Sequence, residues 1–418
     1  MMMPEVVQKL VQQFSTLWWE SDTRTIPLEP SYTHREQSAN EAHLGQFLDA
    51  LAWEAKHPPR TRPERLASRD RLFSALKVLG RAALNLEDSH LGLIDSSGLV
   101  EAATEFAQQA RRFDPTISGS DVYQASRNAW MMYSLQMLLG QPVQLTPAIL
   151  AYSLLYPYSD NYLDDPQVPA QTKATFHERL ARRLADRNVA PTNAQEQTIW
   201  ALVSLIEGQF EPARHPQVFA SLLAIHHAQN KGVGLLRRDA SPYEVDVLGI
   251  GLEKGGASVL ADGYLVAGSL TQAQGECLFG LGAFLQILDD LQDVEQNRKE
   301  GLLTVFSQTS GRWPLDGLTN RTFHFGDRVL QGLDCFDAPG LEPLKDLMRK
   351  STALLLVEAA GRAERLYTRP YRRDLETCSP FRFSALNKHR KRLARQRGSL
   401  ATLLEALALL GSVAPGPL

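Results

Sequence analysis

Apolar residues recur at three- and four-residue spacing along almost the whole chain, and neither strict apolar/polar alternation nor the Asn-Gly pair of a tight hairpin occurs. The pattern predicts an all-α protein. Two stretches interrupt it with helix breakers, Pro-Pro-Arg-Thr-Arg-Pro at 58–63 and Arg-Phe-Asp-Pro-Thr-Ile-Ser-Gly-Ser-Asp at 112–121. They set off an N-terminal helical extension, 1–118, from a helical bundle, 119–418.

Two helices in the bundle carry most of the information. In the first, Thr146 is a cap with Pro147 at the opening position, and the apolar run Ala-Ile-Leu-Ala-Tyr-Ser-Leu-Leu leads into acids at Asp160, Asp164 and Asp165. Pro157 is expected to kink it just before them. A second helix opens on a Thr271-x-x-Gln274 capping box, with Leu278, Leu281, Phe284, Leu285 and Leu288 on one side. Gln286, Asp289, Asp290 and Asp293 are expected to share another side. Between these helices, Gly249-Ile-Gly-Leu-Glu-Lys254-Gly-Gly-Ala-Ser258 reads as a glycine-rich break in the helical pattern, able to expose backbone amides to an anion.

The acids are the candidate chemistry. Asp160 with Asp164, and Asp289 with Asp293, stand four residues apart, so each pair projects from one face about one turn apart. Carboxylates without histidine or cysteine suit magnesium or manganese better than zinc, and magnesium shares its sites with substrate phosphates. Both clusters sit near helix C-termini, where the dipole disfavours negative charge unless a cation compensates.

Composition narrows the choices. With 418 residues, 44% hydrophobic and 22% charged, the chain can bury a sizeable core. A net charge of −3 and a pI near 6.4 make no case for nucleic-acid binding. Three widely spaced cysteines argue against a disulfide framework or structural zinc and fit a reducing cytoplasm. No stretch reaches the length of a membrane span, and the first twenty residues lack a signal-peptide core. Phe14, Leu17, Trp18 and Trp19 read as core residues of the first helix, with peripheral membrane contact as the alternative.

Taken in order, Asp160-Asn-x-x-Asp164-Asp165, Lys254-Gly-Gly and Phe284-Leu-Gln-Ile-Leu-Asp289-Asp290-Leu-Gln-Asp293 resemble the class I isoprenoid synthase superfamily. That superfamily holds trans-prenyl diphosphate synthases, squalene and phytoene synthases, and class I terpene cyclases. The resemblance spans about 121–310 and implies a helical bundle around an apolar cavity, with two facing aspartate motifs. They would hold three magnesium ions, or manganese, on the diphosphate of an allylic prenyl substrate. Carried over, Asp160, Asp164 and Asp289 are the principal catalytic and metal-binding acids, with Asn161, Asp165, Asp290 and Asp293 completing the metal set. Lys254 would bind diphosphate oxygens, with Arg127, Arg298 and Lys299 as further substrate cations and Tyr156 shaping the hydrocarbon pocket. A homodimer is compatible with such a bundle.

Departures from the family pattern bear on the reaction. Asn161 stands where the first motif has its second aspartate, and Pro166-Gln-Val-Pro-Ala-Gln-Thr replaces the arginine pair of chain-elongating enzymes. The missing arginines disfavour isopentenyl diphosphate as a second substrate and so favour a terpene synthase over a prenyltransferase, whether chain-elongating or head-to-head, although the Asn-Ser-Glu triad of many terpene cyclases is absent too. The segment from Gln286 to Lys299 also resembles the second motif of head-to-head synthases, with Asn297 at an expected aspartate. The rival outside enzymes is a helical interaction scaffold with a degenerate synthase core. A carboxylate-bridged di-metal bundle needs Glu-x-x-His on two helices, and only Glu87-Asp-Ser-His90 fits. The basic run from Lys388 to Arg397 reads as a solvated face.

Overall fold

The computed structural model describes residues 3–96, 98–164, 167–185, 188–236, 241, 244–395, 399 and 403, with the side chains of 94–96, 156, 160, 161, 163, 164 and 170 excepted. Among them every regular element is helical, apart from a single antiparallel bridge between Leu236 and Leu302. The helices are α1 (Met3–Glu20), α2 (His34–Lys56), α3 (Arg62–Ala83), α4 (Asp88–Ser96), α5 (Leu99–Phe113) and α6 (Gly119–Leu138). They continue as α7 (Pro147–Asp164), α8 (Ala170–Ala185), α9 (Ala194–Gln209), α10 (Pro216–Val233), α11 (Val247–Ala267) and α12 (Gln272–Gln292). The last are α13 (Val294–Glu300), α14 (Val305–Thr309), α15 (Asp316–Gln331), α16 (Glu342–Arg362), α17 (Arg369–Thr377) and α18 (Phe383–Arg395). None of these helices is long and apolar enough to cross a membrane.

The chain divides into two compact units, each assembled from separate segments: Met1–Glu29 with Ser159–Leu375, and Pro30–Tyr158 with Glu376–Leu418. This division cuts the chain differently from the boundary at 118. It passes through α7, which runs unbroken over Pro157.

At the centre of the first unit is a helical hairpin. Gly268 ends α11 in the left-handed conformation (φ 73°), and Thr271 starts α12 with the anticipated capping box. The helices run antiparallel and very close. Gly255 and Gly282 meet backbone to backbone, and a Cβ on Gly256 would lie 2.5 Å from Cζ of Phe279. The glycine-rich stretch is therefore not a break: it lies inside a continuous α11, and its missing side chains let α12 approach. Burial on nearly all sides offsets the low helix propensity of glycine.

Helix α1 closes over this hairpin. Its Val7, Leu10, Phe14 and Trp18 are buried, with Phe14 stacked on Phe279 at 5.8 Å and Trp18 edge-on to Phe325 at 5.5 Å. Phe14 and Trp18 are core residues, as expected. Trp19 is not: it is 61% exposed, with the Arg321 guanidinium 5.1 Å above its ring.

In the second unit α2 and α3 pair through buried Glu54, which accepts from Ser68 Oγ at 2.7 Å and from Arg71 Nε at 2.6 Å. Helices α5 and α6 are joined by a hydrogen bond from Tyr133 Oη to the Ala102 carbonyl. Basic α18 lies along α2, where Arg392 pairs with Asp49 at 2.6 Å and Arg382 with Glu41. His90 is buried and accepts from the Glu87 amide at 3.0 Å, which gives that pair a local structural role.

Candidate functional site

The hairpin decides what meets the second acidic cluster. Because α11 and α12 run antiparallel, the first turns of α11 lie against the last turns of α12: Gly255 meets Gln286, Gly251 comes to Asp290, and the charge of Lys254 acts on Asp290. A Cβ on Gly251 would be 3.9 Å from Oδ2 of Asp290.

The three acids do not share a face. Asp289 and Asp293, four residues apart, are exposed, whereas Asp290 is only 8% exposed. Gln286 Nε2 donates to Asp290 Oδ1 at 2.9 Å, one turn back along the helix. Burial pushes the Asp290 carboxyl up to about 7. The Gln286 hydrogen bond and the Lys254 charge oppose that rise, while Asp289 and Asp293 add to it.

Asp293 terminates α12, its amide donating to the Asp289 carbonyl at 2.9 Å, and α13 follows at once. Lys254 is exposed, and its stem passes Gly232 near the end of α10. Beside it, Lys231 Nζ holds Glu253 at 2.6 and 2.8 Å. Arg298 and Lys299 occupy the last turn of α13, which Gly301 ends at φ 75°. The Arg298 guanidinium lies against Gly311, where a Cβ would be 3.1 Å from Nη2.

The remaining predicted residues divide in two. Arg127 is exposed on α6, in the second unit. Asp165 lies outside the described residues, as do the side chains of Tyr156, Asp160, Asn161 and Asp164. Their neighbours are visible: Tyr152 is buried, Tyr158 donates to Asp114 at 2.5 Å, and Tyr162 stands edge-on to Phe176 at 5.2 Å. Sequence reasoning gave Gln286 no role of its own, although its spacing of four from Asp290 is the signal for one.

Tyr162 and Phe176 also line a cleft of about 270 Å³ with Thr175, Arg179, Thr192 and Glu196. Arg179 grips Glu196 through Nε at 2.6 Å and Nη2 at 2.8 Å, and this ion pair holds the Glu196 carboxyl down at about 2. The cleft is partly polar, unlike the apolar cavity that the family resemblance implies. Among the described residues no three His, Cys, Asp or Glu side chains converge on a position able to hold a metal ion.

Compared with models of known families and with curated proteins, the chain matches none.

Proposed function

We propose that this protein is a magnesium-dependent enzyme of the class I isoprenoid synthase type, which ionises an allylic prenyl diphosphate and releases pyrophosphate and a terpene product. The observation that carries the reading is the exposed pair Asp289 and Asp293 at the end of α12, with the charge of Lys254 on α11 acting on Asp290 between them. Magnesium commonly takes one or two protein carboxylates and completes its shell with water and substrate phosphates, so two acids and a lysine suit a metal–diphosphate group. Once bound, the metal would supply positive charge to the departing pyrophosphate.

In this reading the chain's own residues do the following. Asp289 and Asp293 hold the metal from one side. Lys254 binds phosphate oxygens as a point charge. Asp290, turned inward onto Gln286, positions the last turn of α12 instead of ligating. Asp160 and Asp164, with Asn161 and Asp165, would form the facing motif.

The test is magnesium-dependent pyrophosphate release and product analysis with geranyl, farnesyl and geranylgeranyl diphosphates, each with and without isopentenyl diphosphate, beside an Asp289→Ala control. Turnover of a single substrate that the control abolishes supports a terpene synthase. Turnover only with isopentenyl diphosphate moves the assignment to chain elongation. Inactivity throughout, with no magnesium binding, leaves the helical scaffold.

A further inference from the structure

On the opposite half of α12 from the acids lies a second cluster of reactive groups. Cys277 is buried in the second turn of α12, and a short 3-10 helix, Gly332–Cys335, packs against it. Gly332 is the point of contact: a Cβ there would lie 3.4 Å from Sγ of Cys277 and 4.0 Å from its Cα. In a 3-10 helix residues three apart eclipse one another, so Cys335, the last residue of this one, stands over Gly332. The two thiols lie close enough to influence each other's ionisation.

The thiols differ in their surroundings. Cys277 is buried among apolar groups, which pushes its thiol far up. Cys335 is half-buried. Burial raises it as well, but the charge of Lys345 on α16, itself only 5% exposed, works in the opposite direction.

We propose that Cys277 and Cys335 form an oxidation site, at which a hydroperoxide converts the pair into an intramolecular disulfide. Cys335, as the thiolate, attacks the peroxide oxygen; the O–O bond breaks, alkoxide or hydroxide leaves, and a sulfenic acid remains. Cys277 then attacks that sulfur, its proton leaves with the hydroxyl as water, and the S–S bond closes. Two electrons pass from the thiols to the peroxide. Raised thiols make the reaction slow compared with a dedicated peroxide-sensing cysteine.

The experiment treats the full-length protein with hydrogen peroxide, removes the excess, unfolds it in guanidinium and titrates thiols. The chain has three cysteines, so the expected titre falls from three to one, with a peptide linking Cys277 to Cys335 and a mass lower by two hydrogens. Dithiothreitol restores three. A Cys335→Ser variant is expected to keep both remaining thiols under the same dose, whereas Cys277→Ala is expected to yield a dimedone adduct at Cys335. A titre that stays at three, a disulfide through Cys378, or oxidation of Cys277 in the Cys335→Ser variant would overturn the proposal.

Discussion

Gln286 and Asp290, one turn apart on α12 and joined by a 2.9 Å hydrogen bond, split the second acidic cluster into an inner acid and two outer ones. The inner carboxyl is desolvated against α11, so its charged form is disfavoured in the folded chain. The outer pair keeps its contact with solvent.

Replacing the inner acid should therefore stabilise the protein. Asp290→Asn keeps an acceptor for Gln286 and removes a charge from an apolar contact, which we expect to add roughly 1–3 kcal/mol at neutral pH. The folded chain retains this proton up to about 7, while the unfolded chain loses it near 3.8. The wild-type protein thus loses stability as pH rises through that window, and the gain from the variant is small near pH 4 and complete above pH 7. Urea unfolding in metal-free buffer at pH 4.5, 6 and 8 reads the difference.

Asp289→Asn and Asp293→Asn should behave differently. On the proposed function each lowers magnesium affinity, measured calorimetrically with pyrophosphate present, by about 10–100-fold, and neither stabilises the fold. Asp290→Asn should change that affinity much less, because it keeps an oxygen acceptor for Gln286 Nε2. Equal losses at all three positions would return Asp290 to the metal.

The hairpin makes opposite predictions for two kinds of glycine. At Gly282 an added methyl meets the backbone of Gly255, so Gly282→Ala is expected to cost about 3 kcal/mol or more by forcing the helices apart. At Gly275 the same methyl finds Leu260 Cδ1 at 3.7 Å, an ordinary contact, and Gly275→Ala should stabilise by about 0.5–1 kcal/mol through helix propensity alone. Thermal unfolding of the two variants checks both signs.

His226 supplies a pH dependence elsewhere in the same unit. It is 7% exposed, its Nε2 lies 2.9 Å from the His177 carbonyl, and its ring stands 5.1 Å from that of His177. Burial lowers it to about 4, the neighbouring His177 and His227 rings add to the effect, and burial lowers His177 as well. Below pH 6.5 the unfolded chain takes up protons that the folded chain refuses, so stability falls as pH drops from 6.5 to about 4. His226→Gln keeps a donor toward the carbonyl and should flatten that slope by on the order of 1–3 kcal/mol, measured by urea midpoints at pH 7, 5.5 and 4.5.

The sequence shows the helices well because their ends are chemically marked. Thr146 and Thr271 cap where their spacing says they should, and the breakers at 58–63 and 112–121 span the junctions of α2 with α3 and of α5 with α6. The glycines of α11 mislead for a physical reason: propensity penalises them one residue at a time, and only a partner helix at close range reverses that balance. Asp290 misleads similarly. Three acids within five positions look like one polar face, until the residue one turn back proves to be an amide that draws the middle one inward. The approach of Lys254 to Asp290 follows from the antiparallel hairpin, which residue patterns along one chain do not encode.

The contacts of α1 constrain how the first unit is made. Trp18 finds its partner ring at Phe325, and Phe14 at Phe279, so the opening helix is translated long before either exists. In the meantime Val7, Leu10, Phe14 and Trp18 have no native surface to cover, and all of Pro30–Tyr158 emerges before the hairpin does. Such sequence-distant closure is slow and leaves an apolar stripe open to chaperones or aggregation during synthesis.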